Sequence, residues 1–414
     1  MAASERSNRP IDLALFGATG FVGKLTARHL AAHAPEGTSI ALAGRSKSRL
    51  GEVRDDLGPG AADWPLILAD ADEPDTLVDL AGQARAIATT VGPYAKWGLP
   101  LVEACAEAGT HYADLTGEVL FVRDSIDRAH DVAAQSGARI VHSCGFDSVP
   151  SDLAVMVAAE EAGTAEGDPF TEATLVVTAA NGGVSGGTVD SMRTQVAAMA
   201  ADPAKRRLGM DPYALTPDRS TEADLGPQSD LGPPRYDRGL GMWVAPFFMA
   251  PYNTRIVRRS NALQAHAYGR RMRYSEVMGF SSPITGPFLA GGVSAGMLAG
   301  LAAMSFGPTR KLLDRVLPAP GEGPDESARR EGYFRIEVHA RTAGGRAVVS
   351  SMAAEGDPGY AATAVMLGQS ALALALDEDQ LPDTAGVLTP ATGIGRPLVS
   401  RLVARGFDIS VRPG

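Results

Sequence analysis

Short apolar runs alternate with helix-like patterns from residue 11 to about residue 144, which is typical of βαβ units around a parallel sheet. The pattern predicts six strands, at 11–16, 39–43, 65–69, 86–91, 111–115 and 139–143. Between them it predicts helices such as 21–33 and 99–109, the second closed by a glycine. We therefore expect an α/β domain over residues 11–150, after a flexible N-terminus at 1–10.

Beyond Pro150 the rhythm changes to longer alternating runs, at 173–180, 333–342 and 346–354. Ala343, Gly344 and Gly345 supply a hairpin turn between the last two. The pattern predicts a second, α+β domain over 151–385, built on an antiparallel or mixed sheet and used for substrate binding or dimerisation. The segment 386–414 is a candidate to return to the first domain. The stretch 202–241, dense in Pro, Gly, Asp and Arg, is expected to form a long surface loop.

Length and composition support a two-domain globular protein. The 414 residues exceed the usual size of one core, and 45% are hydrophobic while 21% are charged. A net charge of −10 opposes binding to phosphate backbones, so we expect no nucleic-acid partner. Cys105 and Cys144 lack the spacing of zinc ligands, so no metal is predicted and a reducing cytoplasm fits best. Residues 1–10 lack the apolar core of a signal peptide.

A glycine-rich turn follows the first predicted strand. Gly17 can adopt backbone angles closed to other residues, Gly20 lets a pyrophosphate approach, and Gly23 lets the next helix pack closely. The helix that starts near residue 21 would direct free N–H groups at the phosphates. The expected cofactor-binding residues of this turn are Gly17, Thr19, Gly20, Phe21, Val22 and Gly23. The spacing is GxxGxxG rather than GxGxxG, and a tight turn without a ligand is the alternative to a Rossmann-type dinucleotide site.

The end of the second predicted strand indicates which dinucleotide binds. An acid there bonds a ribose 2′-hydroxyl, whereas arginine accommodates a 2′-phosphate. Arg45 and Ser46 occupy this place without an acid, which favours NADPH. A solvated basic turn is the alternative. Asp70, at the end of the third strand, is expected either to bond the adenine or to cap the next helix.

The carboxyl ends of the later strands should surround the nicotinamide. Glycines and polar residues cluster there, as a close-fitting cofactor loop needs. The cofactor-binding candidates at this end are Val91, Gly92, Pro93, Tyr94, Cys144 and Gly145.

Several motifs carry a family resemblance. GATGFVGKL, ALAGRS, TTVGPYAKWGLPLVEAC, HYADLTGE and CGFDSVPSDL together resemble saccharopine dehydrogenase-like oxidoreductases. APFFMAPYNTRIVRRSNAL, YGRRMRYSE and GVLTPATGIG resemble one branch of that family, the actinobacterial trans-acting enoyl reductases. The resemblance covers nearly the whole chain. It implies an NADPH-type Rossmann domain, a second α+β domain, and reduction of a polyketide-derived double bond during synthesis of complex cell-envelope lipids.

Such a reduction needs a donor beside the thioester oxygen, which gains charge when the enolate forms. Tyr94 is the first candidate, with packing against the nicotinamide as the alternative. Asp147 is a second catalytic candidate, in a weaker group of strand-end residues. The other members of that group are Tyr112, Asp114 and Glu118. His142 is expected to point inward from its strand, and Cys144 lacks a partner base for nucleophilic catalysis.

A basic segment precedes an uncharged one. Six arginines fall within nineteen residues, and the stretch 277–308 then carries no charge. The arginines are Arg255, Arg258, Arg259, Arg270, Arg271 and Arg273. One interpretation is peripheral membrane contact through 255–308, or an apolar substrate channel, with the arginines meeting anionic lipid or a carrier phosphate. The alternatives are a buried helix beneath a solvated arginine face, and a spanning helix with Gly292, Gly296 and Gly300 at a helix contact.

These observations favour an NADPH-dependent enoyl reductase that acts on an acyl or polyketide lipid intermediate on a carrier. We expect it in the cytoplasm, with the inner face of the plasma membrane as the expected contact and a homodimer as one candidate assembly. An amino-acid dehydrogenase of saccharopine type is the alternative enzyme, although the apolar stretch argues against so polar a substrate. A non-catalytic dinucleotide-binding protein at a lipid surface is the alternative of a different class.

Overall fold

The computed structural model describes residues 6–182, 186–305, 323 and 325–414. Seven parallel strands form the first sheet, in the spatial order β13-β6-β5-β4-β1-β2-β3. They are β1 (Ile11–Phe16), β2 (Ile40–Gly44), β3 (Leu66–Leu68), β4 (Ala84–Thr89), β5 (His111–Ala113), β6 (Arg139–Val141) and β13 (Gly386–Leu388). The central strands are apolar and buried along their length, as parallel strands covered on both faces must be. The predicted α/β fold of this domain is confirmed.

Five helices follow the first five strands. They are α1 (Phe21–His33), α2 (Lys47–Asp56), α3 (Pro74–Gln83), α4 (Tyr94–Ala108) and α5 (Val119–Ser136). The prediction of a helix over 21–33 is confirmed, but α4 begins five residues before the predicted position. The strands predicted at 111–115 and 139–143 end at residues 113 and 141. Residues 114–115 and 142–143, the last two predicted for each strand, lie outside the sheet because polar groups among them form hydrogen bonds with neighbouring loops.

The second sheet is mixed, which confirms the predicted second fold class. Its strand order is β14-β12-β11-β7-β10-β9-β8; β7 and β10 are parallel and the other pairs are antiparallel. The strands are β7 (Phe170–Asn181), β8 (Arg235–Asp237), β9 (Met242–Pro246), β10 (Arg273–Phe280), β11 (Tyr333–Thr342), β12 (Ala347–Glu355) and β14 (Asp408–Pro413). Along β11 buried residues alternate with more exposed ones, so one face of the sheet meets the core.

The second half of the chain also contains helices among its described residues. They are α6 (Val149–Ala162), α7 (Gly186–Ala201), α8 (Pro203–Met210), α9 (Ala250–Leu263), α10 (Gly286–Ser305), α11 (Glu326–Glu331), α12 (Thr363–Leu376), α13 (Pro390–Gly393) and α14 (Arg396–Val403). The prediction of one long loop over 202–241 is wrong. Asp202 accepts hydrogen bonds from two backbone amides and so starts α8, and β8 pairs with β9.

Segments near the C-terminal end of the chain contribute to both sheets. Helix α12, which the sequence pattern placed in the second domain, packs on β1, β4 and β5 beside α1. Strand β13 extends the first sheet, whereas β14 pairs with β12 in the second. Within the described part of the chain, Pro358–Leu376 is a helical stretch long and apolar enough to cross a membrane, and 78% of its apolar window is buried inside the protein. It therefore serves as a core helix.

The N-terminus is held more firmly than the sequence suggested. Arg6 is 2% exposed, donates a hydrogen bond to the Gly137 carbonyl at 3.0 Å and lies 3.4 Å from the Glu378 carboxylate. The segment predicted to be flexible thus contains a buried residue, Arg6, and residues 1–5 lie outside the described ranges. The end of the predicted apolar stretch, 306–308, also lies outside them.

Candidate functional site

A cavity of about 300 Å³ lies over the carboxyl ends of β1, β2 and β3. The predicted residues that it brings together are Gly17, Thr19, Gly20, Arg45, Asp70, Val91 and Gly92. Gly17 adopts φ +86°, and its amide donates to the Ala43 carbonyl at 3.0 Å. A left-handed residue therefore turns the chain sharply between β1 and α1, as the glycine spacing predicts.

The turn fits a pyrophosphate because α1 lies very close to it. A Cβ atom on Gly23 would stand 2.1 Å from the Gly17 carbonyl oxygen, so only glycine permits this approach. Gly20 precedes the helix, and no side chain caps it among the described residues. The amide groups of the first turn, at Phe21 and Val22, thus stay available for anionic oxygens.

Arg45 stands at the rim of this cavity with an exposed side chain. No hydrogen bond or ion pair holds its guanidinium within the described residues, so it is available to a ligand phosphate. Ser46, predicted beside it in the cofactor site, does not line the cavity; its hydroxyl instead accepts a hydrogen bond from the Arg49 amide and caps α2. The carboxylate of Asp70 lines the cavity and accepts from the Asp72 amide at 3.1 Å.

A larger cavity, of about 600 Å³, continues from the first. The two share Gly20, Thr90 and Gly92, so together they form one site long enough for a dinucleotide and a second molecule. Its far walls come from α7, α9 and α10 and are mainly apolar. They include Met192, Val196, Met199, Phe248, Met249 and Met297.

Tyr94 lines the larger cavity, but its hydroxyl is already engaged. The hydroxyl donates to the Thr89 carbonyl and accepts from the Leu115 amide, both at 3.1 Å, and the side chain is 5% exposed. It therefore braces the ends of β4 and β5 against each other. The geometry does not support its predicted role as the donor to substrate, whereas Pro93 beside it does face the cavity.

Cys144 and Gly145, both predicted to bind the cofactor, lie beneath the site and line neither cavity. Cys144 is fully buried, its amide donates to the Asp114 carbonyl at 2.7 Å, and burial raises the pKa of its thiol. A Cβ atom on Gly145 would stand 2.8 Å from the Leu115 side chain. These residues support the loop that follows β6 without reaching a ligand.

Asp147 places a carboxyl group in the larger cavity, at the loop between β6 and α6. No hydrogen bond to this carboxyl is found among the described residues. Burial raises the pKa of Asp147 to about 7. The side chain can therefore carry a proton at neutral pH and face a ligand with it.

Asp114 organises the end of β5 from a fully buried position. One carboxylate oxygen accepts from the amides of Ser143 at 2.9 Å and Thr116 at 3.1 Å. The other accepts from the Tyr112 hydroxyl at 3.0 Å and from His142 Nδ1 at 2.7 Å. Four donors thus satisfy the carboxylate, which indicates a structural role.

His142 is 1% exposed, and its second ring nitrogen lies 2.8 Å from the Ser125 hydroxyl. The prediction that this histidine points inward is confirmed. Glu118 likewise turns inward: it accepts from the amides of Tyr94 and Ala95 at 2.9 and 2.8 Å, at the start of α4.

Tyr252, on α9, is a cavity residue that the sequence reasoning missed. Its hydroxyl contacts the Ser143 hydroxyl, which follows β6 in the first domain. The available signal was its motif: Tyr252 belongs to the APFFMAPYN run that carries the family resemblance. No spacing could reveal the contact, because the two residues are 109 positions apart.

Comparison with known proteins shows the family to which the chain belongs. A model of the saccharopine dehydrogenase NADP-binding domain matches residues 13–141. The trans-acting enoyl reductase of Mycobacterium ulcerans is 48% identical over 417 residues, covering 98% of both chains. A Mycobacterium tuberculosis protein with the same, provisional name is 52% identical over 413 residues, covering 97% of both. The chain belongs to the trans-acting enoyl reductase family. It is an NADPH-dependent oxidoreductase.

A solved structure shows the same fold. The apo saccharopine dehydrogenase (L-Glu forming) from Saccharomyces cerevisiae matches with a TM-score of 0.55 over 97% of this chain and 99% of that one. Its sequence identity is 11%, so the likeness concerns the fold alone. The two chains therefore share their overall fold.

Three arginines of this enoyl reductase family member have a different role from the predicted one. Arg255 binds Asp230 at 2.8 Å, while Arg258 and Arg259 donate to backbone carbonyls. All three are at most 4% exposed, so they cannot meet lipid or a carrier phosphate. They satisfy carbonyl groups around α9, where water does not reach.

Within the described ranges, no three His, Cys, Asp or Glu side chains lie together as a metal site requires.

Proposed function

We propose that this protein uses NADPH to reduce the carbon–carbon double bond of an acyl or polyketide thioester. The observation that carries the proposal is the larger cavity, which joins the glycine-rich turn to an apolar wall and is lined by Asp147, whose pKa is raised to about 7 by burial. Relatives about half identical to this chain are named trans-acting enoyl reductases, which supports the same chemistry.

Residues that line the smaller cavity would bind the phosphate groups of the cofactor. The first turn of α1, with Gly17 and Gly20, would bind the pyrophosphate, and Arg45 would bind the 2′-phosphate. Bound NADPH supplies the hydride that reaches the β-carbon of the substrate. The protein must then stabilise the enolate and protonate the α-carbon, so that two hydrogens are added across one double bond.

Asp147 is our proposed proton donor for the α-carbon. Its carboxyl faces the cavity next to Gly117 and close to the carboxyl ends of β5 and β6. Because burial raises the pKa of Asp147 to about 7, a large share of the molecules hold the proton at neutral pH. After each transfer the carboxylate recovers a proton from solvent.

The lining of the cavity argues against an amino-acid substrate. A dicarboxylate substrate needs cationic partners, yet the charged side chains among the described lining residues are the acids Asp147 and Asp190. Methionine, valine and phenylalanine side chains form most of the far wall. An acyl chain buries its methylene groups against such a wall with favourable free energy.

A direct assay tests the reaction. Purified protein, NADPH and enoyl thioesters of increasing chain length should give products heavier by two hydrogens, with deuterium from labelled NADPH at the β-carbon. Asp147→Asn should reduce kcat by about 10²- to 10⁴-fold, as loss of a general acid does. Asp190→Asn changes the other acid of the cavity, and a comparable loss of kcat in that variant would contradict the assignment of the proton donor to Asp147.

The pH profile adds a second criterion. For the wild type, kcat should fall as the pH rises above about 7, because the carboxyl of Asp147 loses its proton there. That limb should disappear in Asp147→Asn. Tight NADPH binding without turnover of any enoyl thioester would instead favour the non-catalytic alternative, and turnover of glutamate with an aldehyde would favour the amino-acid dehydrogenase.

We also propose that the product enters a complex envelope lipid. The apolar wall of the cavity supports a long-chain substrate. Mass spectrometry of envelope lipids from cells with and without the gene should show species that differ by two hydrogens. Identical lipids in both strains would contradict this biosynthetic role while leaving the reductase chemistry intact.

We also propose that the protein lies in the cytoplasm and contacts the inner face of the plasma membrane through α10 and the residues just before it. Ile284, Phe288 and Leu298 are 77%, 79% and 69% exposed. Ala290 on the packed side is fully buried, while Met297 lines the larger cavity. The helix thus separates the cavity from an apolar surface where lipids could pack.

The glycines of α10 do not support the predicted contact with another helix. Added Cβ atoms on Gly292, Gly296 and Gly300 would meet nothing within 4 Å, so no helix contact uses these glycines within the described structure.

Vesicle flotation tests this surface. A double variant with Phe288→Ser and Leu298→Ser should bind anionic vesicles at least about tenfold more weakly, since each large apolar side chain contributes roughly 1.5–3 kcal/mol on burial. Val403→Ser, at an exposed apolar position of α14, is the matched control. If the double variant instead converts a dimer into monomers without changing vesicle binding, a second copy of the chain covers α10.

A further inference from the structure

We propose that the Tyr252 hydroxyl donates a hydrogen bond to the thioester carbonyl oxygen of the substrate, where negative charge develops during reduction. The inference rests on the enoyl reduction proposed above. It assigns a second catalytic residue, contributed by the second half of the chain, to a site whose glycine-rich turn and proposed proton donor, Asp147, follow strands of the first sheet.

Tyr252 reaches this position from α9. It is 4% exposed and lines the larger cavity together with Met249 and Pro251 of the same chain segment. Its hydroxyl contacts Ser143, the second residue after β6. The carboxyl ends of the later strands are where a doubly wound sheet places the reacting end of a dinucleotide. In the proposed complex, the substrate carbonyl lies beside this hydroxyl.

Ser143 is held in an unusual conformation to make this contact. Its φ is +64°, in the left-handed region that few residues other than glycine adopt. The Asp114 carboxylate accepts the Ser143 amide at 2.9 Å, and the same carboxylate is fixed by His142 at 2.7 Å. A buried network thus sets the position of one serine hydroxyl. Such backbone strain persists where the surroundings over-determine it, commonly at functional sites.

The direction of the hydroxyl contact decides what Tyr252 can offer. When Ser143 donates to the phenol oxygen, the proton of Tyr252 remains free for a third group. Burial, followed by the charges of Asp114 and Asp147, raises the pKa of Tyr252, whereas the Ser143 hydrogen bond lowers it. The phenol therefore keeps its proton at neutral pH and acts as a hydrogen-bond donor, while Asp147 supplies the proton to carbon.

Tyr94 cannot play this part, although it lines the same cavity. Its hydroxyl uses its proton on the Thr89 carbonyl and accepts from the Leu115 amide. For Tyr252 the described structure records one hydroxyl partner, Ser143. Three tyrosines thus line the cavity. Tyr94 braces the backbone, the Tyr360 hydroxyl accepts a hydrogen bond from the Gly186 amide at 3.1 Å, and Tyr252 has a proton to offer.

Three variants separate the roles. Tyr252→Phe should lower kcat by about 10²- to 10³-fold, the usual loss for one oxyanion donor, with KM, the NADPH Kd and the melting temperature nearly unchanged. Ser143→Gly keeps the left-handed backbone but removes the hydroxyl, so it should lower kcat less and leave the melting temperature at or above the wild-type value. Tyr268→Phe, a buried tyrosine with a Gln264 partner outside the cavity, is the control with kcat unchanged.

A binding measurement gives a readout that does not need turnover. Crotonyl-CoA labelled with ¹³C at the carbonyl is mixed with the enzyme and NADP⁺, and its C=O stretch is recorded by infrared difference spectroscopy. The proposal predicts a stretch shifted to lower frequency in the wild type, Asp147→Asn and Tyr268→Phe proteins, and absence of that shift in Tyr252→Phe.

The outcomes distinguish a failure of the role of Tyr252 from a failure of the proposed function. A retained shift and a kcat within threefold of wild type in Tyr252→Phe would overturn the role of Tyr252 while leaving enoyl reduction in place. A wild-type protein that binds NADP⁺ but neither binds nor reduces any enoyl thioester would overturn the proposed function, and the role of Tyr252 with it. Loss of both shift and turnover in Tyr252→Phe alone supports the assignment.

Discussion

Arg45 shows how one side chain sets cofactor choice at the end of a strand. Its guanidinium is exposed at the rim of the smaller cavity, where β2 ends and no acid occupies the ribose position. Arg45→Gln should weaken NADPH binding by about 10- to 100-fold, since a hydrogen bond to a charged group contributes roughly 1.5–3 kcal/mol. NADH binding should change little. Isothermal titration with both dinucleotides measures the ratio.

The control for this experiment is Arg28→Gln, at an exposed arginine of α1 away from the cavity. Both variants make the net charge of −10 more negative by one unit, so Arg28→Gln accounts for long-range electrostatic effects on the phosphates. An equal loss of NADPH affinity in both variants would contradict a direct contact with Arg45.

At the residue scale, sequence reasoning located the cofactor turn but not the reactive groups. Gly17 and Arg45 follow directly from the end of a strand, so local spacing places them in the cavity. The role of Tyr94 could not be read in this way, because its partners Thr89 and Leu115 belong to two different strand ends. Tyr252 was missed because folding brings it to Ser143 from a distant helix.

The start of α4 depends on a carboxylate from the following strand end. Glu118 accepts from the amides of Tyr94 and Ala95, and from the Ser191 hydroxyl at 2.7 Å. Glutamine would present an N–H group to one of these donors. Glu118→Gln should therefore lower the free energy of unfolding by about 1–3 kcal/mol, the cost of leaving a buried donor unpaired. Urea denaturation measures this change.

NADPH affinity should also fall in Glu118→Gln, because the loop through Gly92 and Pro93 leads directly into α4 and lines the site. Asp75→Asn is the matched control. Asp75 is an exposed acid in the first turn of α3, so its loss should cost no more than about 1 kcal/mol. Similar destabilisation of both variants would show that the helix dipole, and not the buried hydrogen bonds, explains the effect.

Element boundaries illustrate what periodicity leaves out. The predicted strands continue past residue 113 and past residue 141, yet β5 and β6 end there. Asp114 and Ser143 leave the ladder because they hydrogen-bond to each other across the two strand ends. Similarly, arginine-rich α9 looks solvated in sequence, but its arginines find carbonyl partners from distant segments, such as Val387. Polar partners of this kind depend on the tertiary fold.

At the scale of the whole molecule, the classes of both sheets were predictable and 386–414 was a candidate to return to the first domain, but the division of this segment between the two sheets was not predicted. Alternating βα units and the Ala343–Gly345 turn region specify local pairing. The return of β13 to the first sheet and of β14 to the second joins strands far apart in the chain. Hydropathy indicates that β13 is buried, and does not indicate which partner strand it pairs with.

Buried acids between the sheets and helices make stability depend on pH. Glu276 is 1% exposed and accepts from the Asn253 amide group at 2.9 Å and the Tyr274 hydroxyl at 2.8 Å. Burial raises the pKa of Glu276 to about 7, although these donors oppose the shift. The folded state therefore binds the proton more tightly than the unfolded state, and the free energy of unfolding falls as pH rises from about 4.5 to about 7.

Glu276→Gln should remove this loss, because glutamine stays neutral and the Tyr274 hydroxyl can turn to accept from its amide. Relative to wild type, the variant should gain up to about 3 kcal/mol between pH 5 and pH 8, the amount that corresponds to the raised pKa. Glu355→Gln, at an exposed position, should follow the wild-type curve. Urea titrations at both pH values measure the gain, and parallel curves for all three proteins would show that Glu276 keeps its charge in the folded state.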